Sequence, residues 1–167
     1  MIGGHINRVS VVAFRPNEFA ERASIKWKEK FGVGTHSIAV QLCMLTLGWW
    51  RADHCPSENF AYFHESGDHE EGRVSAAVDM MRADKEYAAI LRARSFAMVD
   101  KGVARGLEAA DFVAWHWNKH YIDKLKAGDD TPRKDFADFM SMAENKVSSA
   151  FVTGDKLTEF FRVCDQL

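Results

Sequence analysis

Apolar residues recur along this chain with two different periods, and the switches between them divide it into strands and helices. Residues 8–14 form a short β-branched run, Arg8-Val-Ser-Val-Val-Ala-Phe14, that stops at Arg15-Pro16-Asn17. This predicts a strand buried on both faces and then a turn. Over residues 17–31, Phe19, Ala23, Trp27 and Phe31 fall four apart with charges between them, the pattern of a surface helix ended by Gly32 and Gly34. Thr35 or Ser37 can cap the next helix, which runs to about residue 52. Its apolar residues, Ile38, Leu42, Leu45 and Trp49 with Val40, Met44 and Leu47 opposite, surround it almost completely and predict a core position.

Cys55-Pro56-Ser57 breaks the chain before a strand centred on residues 60–63, which the Gly67-Asp68 turn ends. Val74, Ala77, Val78 and Met81 then lie at the spacing of the core face of a helix. Residues 92–99 alternate small with large side chains and read as another strand; residues 107–125 read as a long helix. Beyond the loop at residues 127–132, two amphipathic helices are expected. The first starts at Thr131-Pro132 and buries Phe136, Phe139, Met140 and Val147; the second follows Gly154-Asp155 and buries Leu157, Phe160, Phe161 and Cys164. Strands alternating with helices predict an α/β fold, with about three strands in one mixed sheet. The expected organisation is one domain over 1–167, an α/β layer at 1–127 and a helical appendage at 128–167.

Composition narrows the function classes. The 167 residues are 47% hydrophobic and 28% charged, enough to bury a core without staples. A net charge of -2 and a pI of about 6.4 mean that a nucleic-acid partner needs a local basic patch or a metal to offset phosphate repulsion. Cys43, Cys55 and Cys164 are odd in number and form no CxxC pair, so neither a disulfide framework nor a zinc knuckle is indicated. The amino terminus lacks a basic segment followed by an apolar one, and the apolar run at residues 38–50 is shorter than the about 20 residues that span a bilayer. A soluble cytoplasmic protein without a membrane partner is expected.

Two carboxylates stand out by position. Glu65 closes the strand at residues 60–63, at the end where open α/β sheets present ligands. Asp111 lies within the stripe Leu107, Ala110, Ala114, Trp117 and Tyr121, so it is expected on the core-facing side of its helix. An ionised carboxylate there costs several kcal/mol unless it is paired or metal-bound. A salt bridge to Lys101, Arg105, Arg92 or Arg94 meets that cost as well as a metal does. His116 and His120 share a helix face at zinc-compatible spacing, but with no third ligand a solvated face is the expectation. His64 and His69 flank Glu65 as proton carriers or, more commonly, as local hydrogen-bonding groups. Lys26-Trp-Lys-Glu-Lys30 reads as a solvated face, not a phosphate track. No glycine-rich phosphate loop or nucleophile elbow is present.

Three segments carry a family resemblance: Tyr62-Phe-His-Glu-Ser-Gly-Asp68, then Ser95-Phe96 with Lys101, then Gly106-Leu-Glu-Ala-Ala-Asp-Phe-Val-Ala-Trp115. Together they resemble the back half of the domain of unknown function 3800 family, over about residues 32–121, with residues 107–115 the most specific part. Glu108 stands where that family commonly has glutamine. The family is similar to the ribonuclease H-like superfamily, whose acidic clusters hold divalent metal. The resemblance implies that Glu65 and Asp111 are metal-site acids for Mg²⁺ or Mn²⁺ and that Lys101 lines the same cleft.

The family's opening strand, with its aspartate-glutamate-serine-glycine type motif, has no counterpart before Arg8. A two-metal site spans about 3.5–4 Å and needs several oxygen ligands. The missing acid then comes from another chain, or from Asp68, Glu70 or Glu71, or the site no longer catalyses. Two functions follow as expectations. One is a metal-dependent nuclease or phosphodiesterase with catalytic Glu65, Asp111 and Lys101 and with metal ligands Glu65, Asp111 and Asp68. The other is a catalytically incomplete module that binds a protein partner or self-associates to cover an exposed sheet edge.

Overall fold

The computed structural model describes residues 8–13, 15–31, 35–67, 69–100, 102–127, 131–142, 146–151, 154–155 and 158. Among them the element order is β1 (Val9–Ala13), α1 (Pro16–Arg22), α2 (Ile25–Phe31), α3 (Thr35–His54), β2 (Phe60–Glu65), α4 (Glu71–Ala83), α5 (Lys85–Leu91), β3 (Ala93–Val99), α6 (Arg105–Ala127), α7 (Lys134–Met142) and β4 (Val147–Phe151). The fold class is α/β, as the alternation of periods predicts. The strands form two small sheets, β1 with β4 and β2 with β3, instead of one mixed sheet. The chain divides into two compact units: Met1–Val11, Phe63–Ser66 and Met98–Ser148 in the first; Val12–Tyr62, Gly67–Ala97 and Ser149–Leu167 in the second. Among the described residues no helix is long and apolar enough to cross a membrane.

In the second unit, α3, α4 and α5 pack on one another. The expected face of α4 is the one that packs, with Val74, Ala77, Val78 and Met81 all buried. The face of α3 differs from expectation: Ser37, Ile38, Gln41, Met44, Leu45, Gly48 and Arg51 are buried, while Trp49 is 54% exposed. Backbone approach decides this. A Cβ on Gly48 would lie 2.8 Å from Ile90 Cγ2 and 2.9 Å from the Ile90 carbonyl oxygen, so α5 crosses α3 where no side chain intervenes. One turn on, the buried Arg51 guanidinium donates to the carbonyl oxygens of Pro56 at 2.9 Å and Ile90 at 3.3 Å, satisfying acceptors at the end of α5. Asp84 caps α5 by accepting from the Glu86 and Tyr87 amides at 2.9 and 3.2 Å.

Buried Glu70 accepts from the Ser37 amide at 3.3 Å, placing a carboxylate at the positive end of α3. The single helix expected over residues 17–31 is two helices, because Ala23 turns extended (ψ 130) and the Ser24 carbonyl accepts from Lys28 to start α2. Phe19 and Ala23 are buried as expected; the side chains of Trp27 and Phe31 lie outside the described residues.

β2 and β3 run parallel: the Phe60 amide donates to Arg92 O at 3.1 Å and the Ser66 amide donates to Val99 O at 2.9 Å. β2 lies where the sequence predicts a strand, and its burial alternates over residues 60–63, leaving Phe63 55% exposed. β1 is half-buried throughout, not buried on both faces. A further difference lies at residues 147–151. Val147 was expected on the face of a helix, but α7 ends at Met142 and Val147 begins β4, beside β1 through the Val9 amide and Lys146 O at 2.7 Å. Ser148, Ser149 and the β-branched Val147 favour an extended chain over helix. Of the expected final helix, residues 154, 155 and 158 are helical; Leu157, Phe160, Phe161 and Cys164 lie outside the described residues.

Candidate functional site

The carboxyl end of the parallel pair delivers two acids. Glu65, half-buried, is the last residue of β2, and Asp100 directly follows β3. Ser66 ties the two strand ends together: its amide bonds to Val99 O, and its hydroxyl donates to Asp100 Oδ1 at 2.6 Å. A hydroxyl bonded to one carboxylate oxygen orients the group and leaves its second oxygen to face elsewhere. Asp100 also starts a tight turn, its carbonyl accepting from the Val103 amide at 3.1 Å, with Gly102 at φ 86 supplying the left-handed residue. Sequence reasoning passed over Asp100. Its position at the end of the second parallel strand was the available signal, but it becomes informative only once β2 and β3 are known to be neighbours.

His64 places Nδ1 2.7 Å from the Glu65 carbonyl oxygen. A carbonyl only accepts, so that nitrogen carries the proton and the ring's orientation is set locally. His69 lies at the surface, 3.9 Å from Glu70 Oε1. Lys101 and Asp68 lie outside the described residues.

Asp111 belongs to the same compact unit as Glu65 and Asp100, but its helix is rotated from the expected orientation. The packed face of α6 is formed by Ala109, Val113, His116, Trp117 and His120; Ala110, Asp111 and Ala114 are exposed. The expected stripe relied on alanines, which bury little area. The larger side chains around His116 set the rotation instead. Asp111 therefore faces solvent and does not carry the desolvation cost that a core position would impose.

His116 corrects a second expectation. It is only 4% exposed, not solvated. Its ring stacks on Phe136 of α7 at 5.6 Å between centroids and 6° between planes, with Phe112 at 4.2 Å and Trp115 edge-on at 4.7 Å. Its Nε2 is 3.5 Å from Asp135 Oδ2, and its Nδ1 is buried without a hydrogen-bond partner. The ring fills the seam between α6 and α7, where His120 also meets Phe136 at 6.0 Å between centroids. Among the described residues no three His, Cys, Asp or Glu side chains group closely enough to hold a metal ion by themselves. Compared with family models, with curated proteins and with solved structures, the chain matches none.

The donors that are present remain chemically suited to a hard cation. Glu65, Asp100 and Asp111 offer carboxylate oxygens, the ligands that Mg²⁺ and Mn²⁺ favour. Mg²⁺ is commonly held by only one or two carboxylates, with water and substrate phosphate completing its shell. Among the described residues these acids form no closed protein cage for a cation.

Proposed function

We propose that this protein is a divalent-metal-dependent hydrolase of phosphodiester bonds, of the ribonuclease H-like kind that its motifs resemble. The observation that supports this best is the delivery of Glu65 and Asp100 to the same end of two paired parallel strands, linked through Ser66. Glu65 and Asp100 would hold Mg²⁺ or Mn²⁺, with Asp111 on α6 contributing negative charge and not a third direct ligand. When bound, such a cation lowers the pKa of coordinated water and offsets charge developing on phosphate. The chain's own part is to orient the Asp100 carboxylate through the Ser66 hydroxyl and to place Glu65 at the end of the neighbouring strand. Lys101, next to Asp100, is assigned to the phosphate as a cation. Nucleic acid is the proposed substrate class and the cytoplasm the proposed compartment.

A rival reading is favoured by one observation. Among the described residues β2 and β3 have only each other as neighbours, and Phe63 stands exposed on the pair. A second copy of the chain would cover such strands. One experiment separates the two: cleavage of single- and double-stranded DNA and RNA with Mn²⁺ or with chelator, using wild type, Glu65→Gln and Asp111→Ala, each also measured by light scattering. The hydrolase reading expects metal-dependent cleavage reduced at least about a hundredfold by Glu65→Gln. Cleavage unchanged by both substitutions contradicts it. No cleavage together with a stable dimer favours the interaction module.

A further inference from the structure

Two guanidinium groups meet at one carbonyl oxygen beside the start of β2. Arg51, 3% exposed, donates through Nη1 to Pro56 O at 2.9 Å, and the exposed Arg92 donates through Nη1 to the same oxygen. Arg51 Nη2 faces the carbonyl oxygens of Ala89 and Ile90 at 3.4 and 3.3 Å, while its Nε is buried with no hydrogen-bond partner. Among the described residues no carboxylate pairs with either group. Arginine cannot shed its proton to escape such a position.

Helix capping accounts for one of the two cations. The last carbonyls of α5 carry partial negative charge. Arg51 takes those of Ala89 and Ile90, the Tyr62 hydroxyl takes that of Leu91 at 3.3 Å, and the Arg92 amide takes that of Ala88 at 2.9 Å. The Arg92 guanidinium is therefore surplus to the end of the helix. It is also held there against the preference of its backbone. Arg92 is the C-cap of α5 at φ 41 and ψ 42, a left-handed conformation that favours glycine, and among the described residues no other non-glycine residue adopts a positive φ.

Two like charges sharing one neutral acceptor repel each other, and an anion lying against them offsets that repulsion. A guanidinium presents paired planar donors to an oxyanion, and two of them together favour a phosphate carrying nearly two charges over a carboxylate carrying one. We infer that Arg92, backed by the buried charge of Arg51, binds a phosphate group, either inorganic phosphate or the end of a phosphate monoester. The site lies at the start of β2, where the Phe60 amide bonds to Arg92 O, and not at its Glu65 end. It needs no metal and stands apart from the hydrolase reading.

The test is calorimetric titration of the full chain with inorganic phosphate, glycerol phosphate or acetate, in chelator, near neutral pH and at constant ionic strength. Wild type is compared with Arg92→Gly, which suits the left-handed backbone, and with Lys85→Gln, which removes an exposed cation at the start of α5. Thermal melting of each protein is read with and without phosphate. Arg92→Gly is expected to melt no lower than wild type without phosphate, and to bind phosphate at least about tenfold more weakly. Phosphate should raise the melting temperature of wild type and Lys85→Gln but not of Arg92→Gly. Acetate should bind more weakly than phosphate. Arg92-dependent binding of glycerol phosphate supports the site and names a monoester as its ligand; Arg92-dependent binding of inorganic phosphate alone supports it and names the free ion. No phosphate binding by wild type, equal loss in Lys85→Gln, or acetate bound as tightly as phosphate overturns the site. Arg92→Gly that melts lower yet binds phosphate as wild type does also overturns it, and assigns Arg92 to holding the turn at Pro56.

Discussion

Tyr62 donates its hydroxyl to the Leu91 carbonyl oxygen at 3.3 Å, and burial raises its pKa to about 12, with the Arg51 guanidinium opposing the rise. The folded chain thus holds the neutral phenol more firmly than the unfolded chain, whose tyrosines ionise near 10. The sign follows from linkage. The contribution is fully present below about pH 10 and is lost as pH rises through about 12. Urea unfolding of wild type is expected to show a stability loss between these values that is smaller in Tyr62→Phe. Absorbance titration near 295 nm should show one of the three tyrosines ionising late in wild type and missing from the variant. A Tyr62→Phe protein with an unaltered alkaline profile contradicts the assignment. Asp111 stands in contrast: exposed instead of core-facing, it escapes the desolvation cost of a buried carboxylate.

The helices and strands are set by a few close contacts as much as by hydrophobic pattern. Gly48 lets α5 approach α3, and a methyl group there meets Ile90 backbone as well as side chain. Alanine in place of glycine favours helix by about 1 kcal/mol, while overpacking costs about 1–3 kcal/mol. Gly48→Ala is expected to lower unfolding free energy by up to about 2 kcal/mol, whereas Gly72→Ala, with nothing within 4 Å, should lower it little or not at all. Equal effects in the two would remove close approach as the reason for the glycine.

This is also where the sequence stops being legible. The face of α4 is readable because Val74, Ala77, Val78 and Met81 are the apolar residues that can form a stripe. α3 offers apolar residues on every side, so the crossing at Gly48 and the anchoring of Arg51, not periodicity, select the buried face. The stripe assumed for α6 failed for a related reason: Ala110 and Ala114 fit almost any orientation, and the His116–Phe136 stack fixes the rotation from another element. Val147 lay in a segment whose pairing partner, β1, is more than a hundred residues away.

At the scale of the molecule, the alternation of strand and helix gave the α/β class correctly, but the division of the strands into two small sheets could not be read from it. Strand adjacency is a tertiary property. It brings Asp100, one surface acid among many in the sequence, to the same end of β2–β3 as Glu65, the end at which the proposed function would receive a cation and a phosphate. The near-neutral charge, -2 over 167 residues, is consistent with recognition that relies on a metal to meet phosphate. Because few protein ligands are available, cation and phosphate should bind together, each strengthening the other by the same factor.

Calorimetric titration of Mn²⁺ into the protein, with and without a non-hydrolysable thymidine phosphodiester, tests this most directly. The account predicts weak Mn²⁺ binding alone, binding at least about tenfold tighter with the phosphodiester, and loss of that enhancement in Glu65→Gln and in Asp100→Asn. Mn²⁺ binding that is absent in both conditions, or that is the same in wild type and in both variants, would contradict it.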